Sequence, residues 1–500
     1  MPGVPAGAEE GHLSIPDGVP DALLVFAGEK RFADLQAAAV FQVERLPQLP
    51  LVRPVGEEAQ PGGLDNGAII NRFEKGGIFV KEEWKQWLRD GGQSLKMLLR
   101  WLVVSCLLGL ICGLVGAAFY YTVAWATETR EGHGWLLYLM PVAGVVIVWL
   151  YKTLGMENDS GTNQIIASVR SGKRPPLRLA FLIFVGTALT HLTGGSSGRE
   201  GAALQIGGSL AATLGKGLRL TERNTNLIVM CGMSALFTAL FGTPLTATVF
   251  SIEVVSIGIV HYSALFPCLL SSLVTLGFTG RVGVKPEAYH LMGSPDGATL
   301  EALAATGVLA VLCALVSMVF CVLMHQTTHT YKKLLPNQYV RIVVGAALVI
   351  LLTLLEGSGD YNGAGTHIIE SALAGNVNVP WAFLLKMIFT ALTLGAGFRG
   401  GEIVPTFFIG ATFGCAVAPL VGLEPAFGAA IGMVAMFCGV VNCPLASILL
   451  SVELFGSSHI LFFALACALS FLLSGKFSLY SSQKIVYSKL EPRLIDELAH

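Results

Sequence analysis

The chain has 500 residues, of which 53% are hydrophobic and only 13% are Asp, Glu, Lys or Arg. Soluble proteins carry roughly 25% of these charged residues, and a soluble domain of this size would need more polar surface. The net charge of −1 gives no basic surface for nucleic acid. These values argue against a large soluble helical protein, and we expect a lipid bilayer, not nucleic acid, as its partner.

Residues 1–95 differ in composition from the rest of the chain. They are rich in Pro, Gly and charge, and their longest apolar run is "ALLVF". Such a segment is neither a signal peptide nor a packed domain. We therefore expect a disordered N-terminal extension, with an upstream extension of the coding frame as the alternative.

Basic residues flank the apolar part of the chain on both sides. They are Lys75, Lys81, Lys85, Arg89, Lys96 and Arg100 before the first apolar run, and Lys476, Lys484, Lys489 and Arg493 after the last. Cytoplasmic segments next to membrane helices are enriched in Lys and Arg, so we expect a plasma-membrane protein with both termini in the cytoplasm. About twenty residues follow Tyr480, which predicts a short cytoplasmic tail at 486–500 and no C-terminal regulatory domain.

Apolar runs recur from Leu98 to Ser474, for example "LIFVGTALTHL" and "RIVVGAALVILLTLL". Only helices and closed barrels satisfy their backbone groups in lipid. The strands of a barrel would alternate polar and apolar residues, and these segments do not. They predict an all-α polytopic membrane protein.

The middle of the chain contains an internal repeat. "CGMSALFTALFGTPLTATVFSIEV", from Cys231, aligns without a gap with "IGMVAMFCGVVNCPLASILLSVEL", from Ile431. The identical positions are Gly232/Gly432, Met233/Met433, Ala235/Ala435, Phe237/Phe437, Pro244/Pro444, Leu245/Leu445, Ser251/Ser451 and Glu253/Glu453. A proline and a carboxylate kept at a fixed spacing indicate two homologous halves.

We place these halves at 96–285 and 301–485, with a connecting loop at 286–300. Upstream of the aligned segments, Gly198-x-Glu200 corresponds to Gly400-x-Glu402 at an offset of 202 residues. Membrane proteins built from repeats are mostly transporters and channels, with their site between the repeats at the midplane.

Four Gly-rich breaks interrupt the apolar runs: "MENDSGTNQ", "TGGSSGREG", "LGAGFRGGEIVP" and "SGKFSLYSS". Unwound backbone at membrane depth is tolerated only where it lines a cavity or is buried in protein. Each break precedes a position where a helix N-terminus can attract an anion, and no Lys or Arg cluster is available for a large polyanion. The breaks therefore predict a mid-membrane site for a small monovalent anion.

Glu200 lies among the glycines of the second break, next to Arg199. A carboxylate at an anion-attracting helix start competes with the anion when it is ionised and leaves the site when it is protonated. This position predicts a gate or the hinge of a proton antiporter. The alternative is that Glu200 only neutralises Arg199 or a helix dipole.

These motifs resemble the CLC family of chloride channels and proton-coupled anion antiporters. "GREG" with "QIGG" is similar to the gating-glutamate motif of that family, "GGEIVP" to its GxFxP motif, and "SLYSS" to the stretch that carries its anion-coordinating tyrosine. The resemblance covers roughly residues 95–485. It implies two inverted repeats with broken helices meeting at a mid-membrane anion site, and a homodimer with one anion pathway per subunit.

The resemblance also implies roles for individual residues. Glu200 would be the gating and proton-exchanging glutamate, and Tyr480 would donate its hydroxyl group to the anion. Ser160, with the adjacent Gly161, falls where the family has its coordinating serine. The backbone N–H groups of Ile403 and Val404 would complete the anion site.

The sequence departs from the chloride antiporters at the position of their inner proton-relay glutamate, which is Val254 here. Glu253 is its neighbour, but its counterpart Glu453 in the other half favours a shared structural role, such as capping. "GGE-x-x-P-x-FFIGAT" resembles the fluoride-exporting branch of the family. In that branch a glutamate at the position of Glu402 helps to carry protons.

The same branch has pore-lining phenylalanines near Phe407 and Phe408. In contrast, Val404 replaces the hydroxyl side chain expected for that branch, and Ser160 resembles the chloride transporters. The sequence thus predicts exchange of chloride or fluoride for protons and leaves the choice of anion open. A passive, voltage-gated type of chloride channel is the alternative.

Two other classes are less consistent with the sequence. Gly195-x-Ser197-Gly198 matches the GxSG motif of rhomboid intramembrane proteases, with His191 or His261 as a partner, but a protease needs no duplicated half. A cation-coupled symporter would need carboxylates or carbonyls that converge on a cation. We expect no enzymatic activity and no cofactor. We also expect no metal site, since "HQTTH" at His325 has no acidic or thiol partner nearby.

Overall fold

The computed structural model describes residues 66–500, except 290, 292, 296, 377–378, 492 and 500. The chain divides into two units, Met1–Lys85 and Gln86–His500. Of the segment 1–95 that we expected to be disordered, residues 1–65 lie outside the described residues. Residues 66–95 are helical, because Glu, Lys, Arg and Gln between apolar residues are good helix formers and the first membrane helix continues from them.

Sixteen α-helices make up most of the described residues, and they form two sets of eight in the same order. The first set is α1 (Asn66–Gly132), α2 (Met140–Thr153), α3 (Thr162–Ser171), α4 (Leu177–Leu192), α5 (Glu200–Gly217), α6 (Glu222–Phe241), α7 (Pro244–Glu253) and α8 (Leu265–Arg281). The second set is α9 (Leu300–Leu334), α10 (Gln338–Glu356), α11 (Thr366–Leu373), α12 (Ala382–Ala396), α13 (Ile403–Val417), α14 (Pro425–Val441), α15 (Pro444–Phe455) and α16 (Ile460–Leu473).

These helices differ in whether their length and composition suit a membrane span. Within the described residues, 7 helical segments are long and apolar enough to span a bilayer, and further apolar helices of 10–17 residues are too short to do so unaided. Short helices end where glycines or prolines break the chain, as they do between α4 and α5. The polytopic helical fold with broken helices, predicted from the sequence, is confirmed.

The two repeats pack against each other in opposite directions at α7 and α15. Glu453, near the end of α15, accepts hydrogen bonds from the backbone N–H groups of Leu245 (2.9 Å) and Thr246 (2.8 Å) at the start of α7. The helix contact is antiparallel, and each repeat closes one end of the other.

Glu253, at the end of α7, makes the reciprocal contact. It accepts from the backbone N–H groups of Leu445 (3.2 Å) and Ala446 (3.0 Å) at the start of α15. A carboxylate at a helix N-terminus satisfies N–H groups that have no partner within the helix. The shared structural role predicted for the two glutamates is therefore confirmed, and that role is capping.

Glycine pairs allow equally close helix packing in both repeats. A Cβ atom added to Gly207 of α5 would overlap the carbonyl oxygen of Gly232 in α6, and one added to Gly410 of α13 would overlap that of Gly432 in α14. Small residues of this kind let membrane helices approach closely. Gly207 and Gly410 are 203 residues apart, whereas Gly232 and Gly432 are 200 apart.

A small sheet joins the end of the first repeat to the end of the chain. Strand β1 (Ser256–Ile257) pairs in parallel with β2 (Lys484–Tyr487), which pairs antiparallel with β3 (Leu494–Leu498). Ser256 is aligned with Lys484, and Lys484 with Leu498. The segment 486–500, which we expected to be a simple tail, thus contributes strand residues to this sheet.

The reciprocal caps lead to a prediction about stability. We expect Glu253→Gln and Glu453→Gln each to lower the free energy of unfolding by about 1 kcal/mol, because an amide nitrogen would replace one carboxylate acceptor and face a backbone N–H group. Glu253→Gln should have the larger effect, since this side chain is the more buried. Thermal unfolding in detergent measures both, with the exposed Glu301→Gln as the control.

Candidate functional site

The breaks before α5 and α13 meet and form hydrogen bonds with each other. Gly198 and Gly401 form an isolated antiparallel bridge, in which each backbone N–H group donates to the other carbonyl oxygen at 2.7 Å. Helices α5 and α13 begin two residues after these glycines. The first N–H groups of both helices have no acceptor within their helix, so two positive helix ends start at one place.

This bridge corrects the alignment of the two repeats. Gly198 is aligned with Gly401, which is an offset of 203 residues instead of the 202 inferred from the two glutamates. Glu200 is thus structurally equivalent to Ile403, and Glu402 to Arg199. The spacing of Gly207 and Gly410 supports the same register.

The glycines of the bridge have no room for a side chain. A Cβ atom at Gly401 would overlap the backbone nitrogen of Gly201, and one at Gly400 would overlap the hydroxyl oxygen of Ser197. Gly201 itself lies close to Glu402, since its Cβ atom would be 3.1 Å from the Oε2 atom of that residue. The two breaks are therefore in direct backbone contact.

Glu200 is the first residue of α5 and is fully buried. Its Oε2 atom accepts a hydrogen bond from the backbone N–H group of Arg199 at 3.0 Å, and its Oε1 atom is 3.5 Å from the Nε atom of Arg199. Arg199 also donates to Glu287 at 2.8 Å and lies over the ring of Tyr120. One guanidinium group thus pairs with two carboxylates.

Glu402 precedes the first residue of α13. Its Oε2 atom is buried and has no hydrogen-bond partner among the described residues. The residue lines a cavity of about 790 Å³. Unlike Glu200, Glu402 makes no ion pair within the described part of the chain.

The cavity brings four of the predicted site residues together. Ser160, Gly161, Glu402 and Tyr480 all line it. The Tyr480 hydroxyl group is buried without a hydrogen-bond partner among the described residues, and it is within electrostatic range of both Glu402 and Glu200. Gly161 has a positive φ of 63°, which turns the chain into α3 and suits glycine.

The other predicted residues, Glu200 among them, do not line this cavity. Ile403 and Val404 are buried in the first turn of α13, and Val404 contacts Gly198, where an added Cβ atom would be 3.1 Å from that of Val404. Phe407 packs against the rings of Phe241 and Phe437. These positions follow the bridge and do not line the large cavity.

Phe408 has a different environment on the same helix. It packs against Tyr361, and the buried Lys386 ammonium group lies 5.0 Å from the centre of its ring. Lys386 donates to the carbonyl oxygens of Tyr361 (3.1 Å) and Gly363 (2.8 Å). Phe408 thus lies between a cation and an aromatic ring, outside the large cavity.

Sequence reasoning missed Thr162 and Gln205, which also line the cavity. The amide nitrogen of Gln205 lies 3.3 Å from the Thr162 hydroxyl oxygen and donates to the carbonyl oxygen of Gly201 at 3.1 Å, while its Oε1 atom has no partner among the described residues. The signal was present in "GREGAALQ", where Gln205 follows Gly201 by four residues and so lies on the same helix face as that glycine of the break.

The protease motif does not form a dyad. The Ser197 hydroxyl group has no hydrogen-bond partner among the described residues, and the Nε2 atom of His191 lies 3.4 Å from the carbonyl oxygen of Gly198. A nucleophilic serine needs a histidine within hydrogen-bond reach. Ser197 and His191 belong instead to the packing around the bridge.

Sequence comparisons with known proteins identify the family. A family model described as "Voltage gated chloride channel" matches residues 143–475. The chain is 35% identical over 410 residues to a chloride/fluoride channel protein of Pseudomonas syringae pv. tomato, a match that covers 81% of this chain and 90% of the relative. It is 26% identical over 392 residues to the H(+)/Cl(-) exchange transporter ClcA of Salmonella typhimurium, covering 71% and 80%.

Solved structures give the same result. A CLC-type fluoride/proton antiporter superimposes with a TM-score of 0.75 at 32% identity, covering 78% of this chain and 98% of that one. A slow cyanobacterial Cl−/H+ antiporter superimposes with a TM-score of 0.66 at 20% identity, covering 75% and 94%. The second likeness concerns the fold alone.

The contact between the breaks leads to a further prediction. We expect Gly401→Ala to abolish anion transport and to lower stability by about 2 kcal/mol, because the added methyl group would push the two breaks apart. Gly277→Ala is the matched control, since an added Cβ atom in that helix meets nothing within 4 Å and alanine favours helix. Full transport by Gly401→Ala would show that the breaks need no close contact.

Proposed function

This chain belongs to the voltage gated chloride channel (CLC) family, and we propose that it exchanges a small monovalent anion for protons across a membrane. The family consists of channels and transporters, and this member is a multi-pass membrane protein that moves a small anion. The observation that carries the exchange proposal is the pair of buried carboxylates, Glu200 and Glu402, at two helix starts joined by one backbone bridge.

The two glutamates differ in their surroundings, which supports different roles. Glu200 is ion-paired with Arg199 and, when ionised, occupies an anion-attracting helix start, so its protonation frees the path. Glu402 faces the cavity with an unpartnered oxygen and takes up or releases the proton on that side. Ser160, Gly161 and Tyr480, together with the N–H groups at Ile403 and Val404, hold the anion between the two.

The position of the inner proton-relay glutamate of chloride antiporters carries no titratable side chain in this chain. Val254 cannot bind a proton, and the neighbouring Glu253 is held by two backbone N–H groups of the other repeat. We therefore propose that protons pass through Glu402 and Glu200.

We propose fluoride as the preferred anion, with chloride as the competitor. Two relatives more than 30% identical to this chain have fluoride in their names, a chloride/fluoride channel protein and a fluoride/proton antiporter. The cavity position of Glu402 supports the same choice. Phe407 and Phe408, on the helix that begins at the bridge, would line the path beyond it.

We also propose that the protein is a homodimer in the plasma membrane, with both termini in the cytoplasm. Leu245 and Leu445, at the capped starts of α7 and α15, are about half exposed, as is Phe266 on α8. A face formed by both repeats is suited to a symmetric contact. Light scattering in detergent measures the assembly, and protease protection in vesicles measures the orientation.

Transport by purified protein in liposomes tests the exchange. Fluoride that leaves the liposomes should drive protons inward, and a fluoride gradient should move protons against their own gradient. Parallel chloride efflux measures selectivity. Anion movement without proton movement would support the passive channel instead.

Glu200→Gln should uncouple the two ions. A neutral side chain cannot carry a proton or compete with the anion, so we expect anion efflux to continue while proton movement falls below about a tenth of the wild-type rate. Fluoride and pH electrodes measure both together. Glu301→Gln is the control, and proton coupling that survives in Glu200→Gln would contradict the gating role.

Glu402→Gln should abolish proton antiport, whereas Glu253→Gln should change mainly stability. The first substitution removes the titratable group at the cavity, and the second removes a helix cap. The same electrodes, with thermal unfolding of each variant, separate the two effects. Normal proton transport by Glu402→Gln together with its loss in Glu253→Gln would place the proton route through α7.

A further inference from the structure

A buried ion pair in the cavity wall joins the two repeats. Arg399 donates from its Nη1 atom to the Oδ2 atom of Asp159 at 2.9 Å. The Asp159 side chain is fully buried and that of Arg399 is 19% exposed. Asp159 directly precedes Ser160, and Arg399 precedes Glu402 by three residues. The pair therefore connects the two loops that carry the anion site.

The surroundings of the pair hold the arginine in place. Its guanidinium carbon lies 3.8 Å from the centre of the Tyr151 ring, and its backbone N–H group donates to the Thr190 hydroxyl at 3.2 Å. The Oδ1 atom of Asp159 and the Nε atom of Arg399 have no partner among the described residues. One hydrogen bond thus keeps two charges together at a wall that the anion must pass.

The cavity wall carries opposing charges that nearly cancel. Among the described residues that line it, Lys332, Arg341 and Arg399 are cationic, whereas Glu157, Asp159 and Glu402 are acidic. Arg341 donates to the carbonyl oxygen of Ala396 and is close enough to Arg399 to interact with it electrostatically. Removal of one charge from the pair would leave the wall with a net charge next to the site.

We propose that the Arg399–Asp159 pair sets the affinity of the transporter for its anion by cancelling charge at the cavity wall. This inference rests on the proposed function. The two residues act as positioning residues, since they fix the surroundings of the groups that would hold the anion. A pair of net charge zero admits an anion without trapping it.

The two single substitutions should change affinity in opposite directions. Arg399→Gln leaves Asp159 as an uncompensated negative charge, so the dissociation constant for fluoride should rise about fivefold. Asp159→Asn leaves Arg399 uncompensated, so the constant should fall about fivefold. A change of about this size is the order expected for one uncompensated unit charge acting on an anion in a partly screened environment. In Asp159→Asn with Arg399→Gln the constant should return to within about twofold of wild type.

A purely structural pair would behave differently. Both single substitutions would then weaken binding together with stability, because each would loosen the same contact. Arg399→Lys keeps the charge and loses the stacking on Tyr151, so it should keep near wild-type affinity. The exchanged pair, Asp159→Arg with Arg399→Asp, serves where a single variant fails to fold.

The experiment uses the full chain and two readouts. Titration calorimetry in detergent with sodium fluoride, and separately with sodium chloride, measures affinity. Flux from liposomes over a range of fluoride concentrations separates KM from the maximal rate, and the shift should fall on KM. Thermal unfolding of every variant records stability, and Lys476→Gln, in an exposed ion pair that does not line the cavity, is the control.

Opposite shifts in the two single variants, with recovery in the double variant, would support the inference. Shifts in the same direction, or unchanged affinity in both, would overturn it while leaving the proposed function intact. A wild-type protein that binds and moves neither anion would overturn the proposed function, and this inference with it.

Discussion

The hydrogen-bonded bridge between Gly198 and Gly401 is the contact on which the site depends. Broken backbone at membrane depth must find partners inside the protein, because lipid supplies none. Here the two breaks satisfy each other through two bonds of 2.7 Å, which leaves the first N–H groups of α5 and α13 for a ligand. Glycine at Gly400 and Gly401 is required because any side chain would overlap the opposite break. The same bridge brings Glu200 and Glu402 to one place.

Four glutamates lie at helix ends, and they differ in their hydrogen-bond and ion-pair partners. Glu253 and Glu453 each accept hydrogen bonds from two backbone N–H groups of the opposite repeat. These bonds hold α7 and α15 together. Glu402 has a buried oxygen with no partner among the described residues, and Glu200 has a single nearby cation. The first two carboxylates hold the scaffold together, and the other two are the ones to which we assign proton exchange in the proposed function.

Much of this could be predicted from the sequence, because composition, breaks and repeat are local patterns. The helical membrane fold was predicted correctly, and the motifs pointed to Ser160, Glu402 and Tyr480, which meet at one cavity. The register of the breaks was wrong by one residue, since the alignment matched two glutamates, whereas the backbone matches two glycines. The ion pair between Asp159 and Arg399 could not be predicted from local sequence patterns, because it joins residues 240 positions apart.

The shift in register explains how a twofold scaffold produces two unlike sides. With Gly198 opposite Gly401, the residue after each bridge glycine is Arg199 in one repeat and Glu402 in the other. The next residue, which begins the helix, is Glu200 in the first repeat and Ile403 in the second. One helix start therefore carries Arg199 and Glu200, while the other carries Glu402, which lines the cavity. In the proposed exchange, this difference gives the two glutamates different roles at one site. Glu200 opens and closes the anion path, whereas Glu402 takes up or releases the proton at the cavity. Two identical helix starts would not provide these two roles.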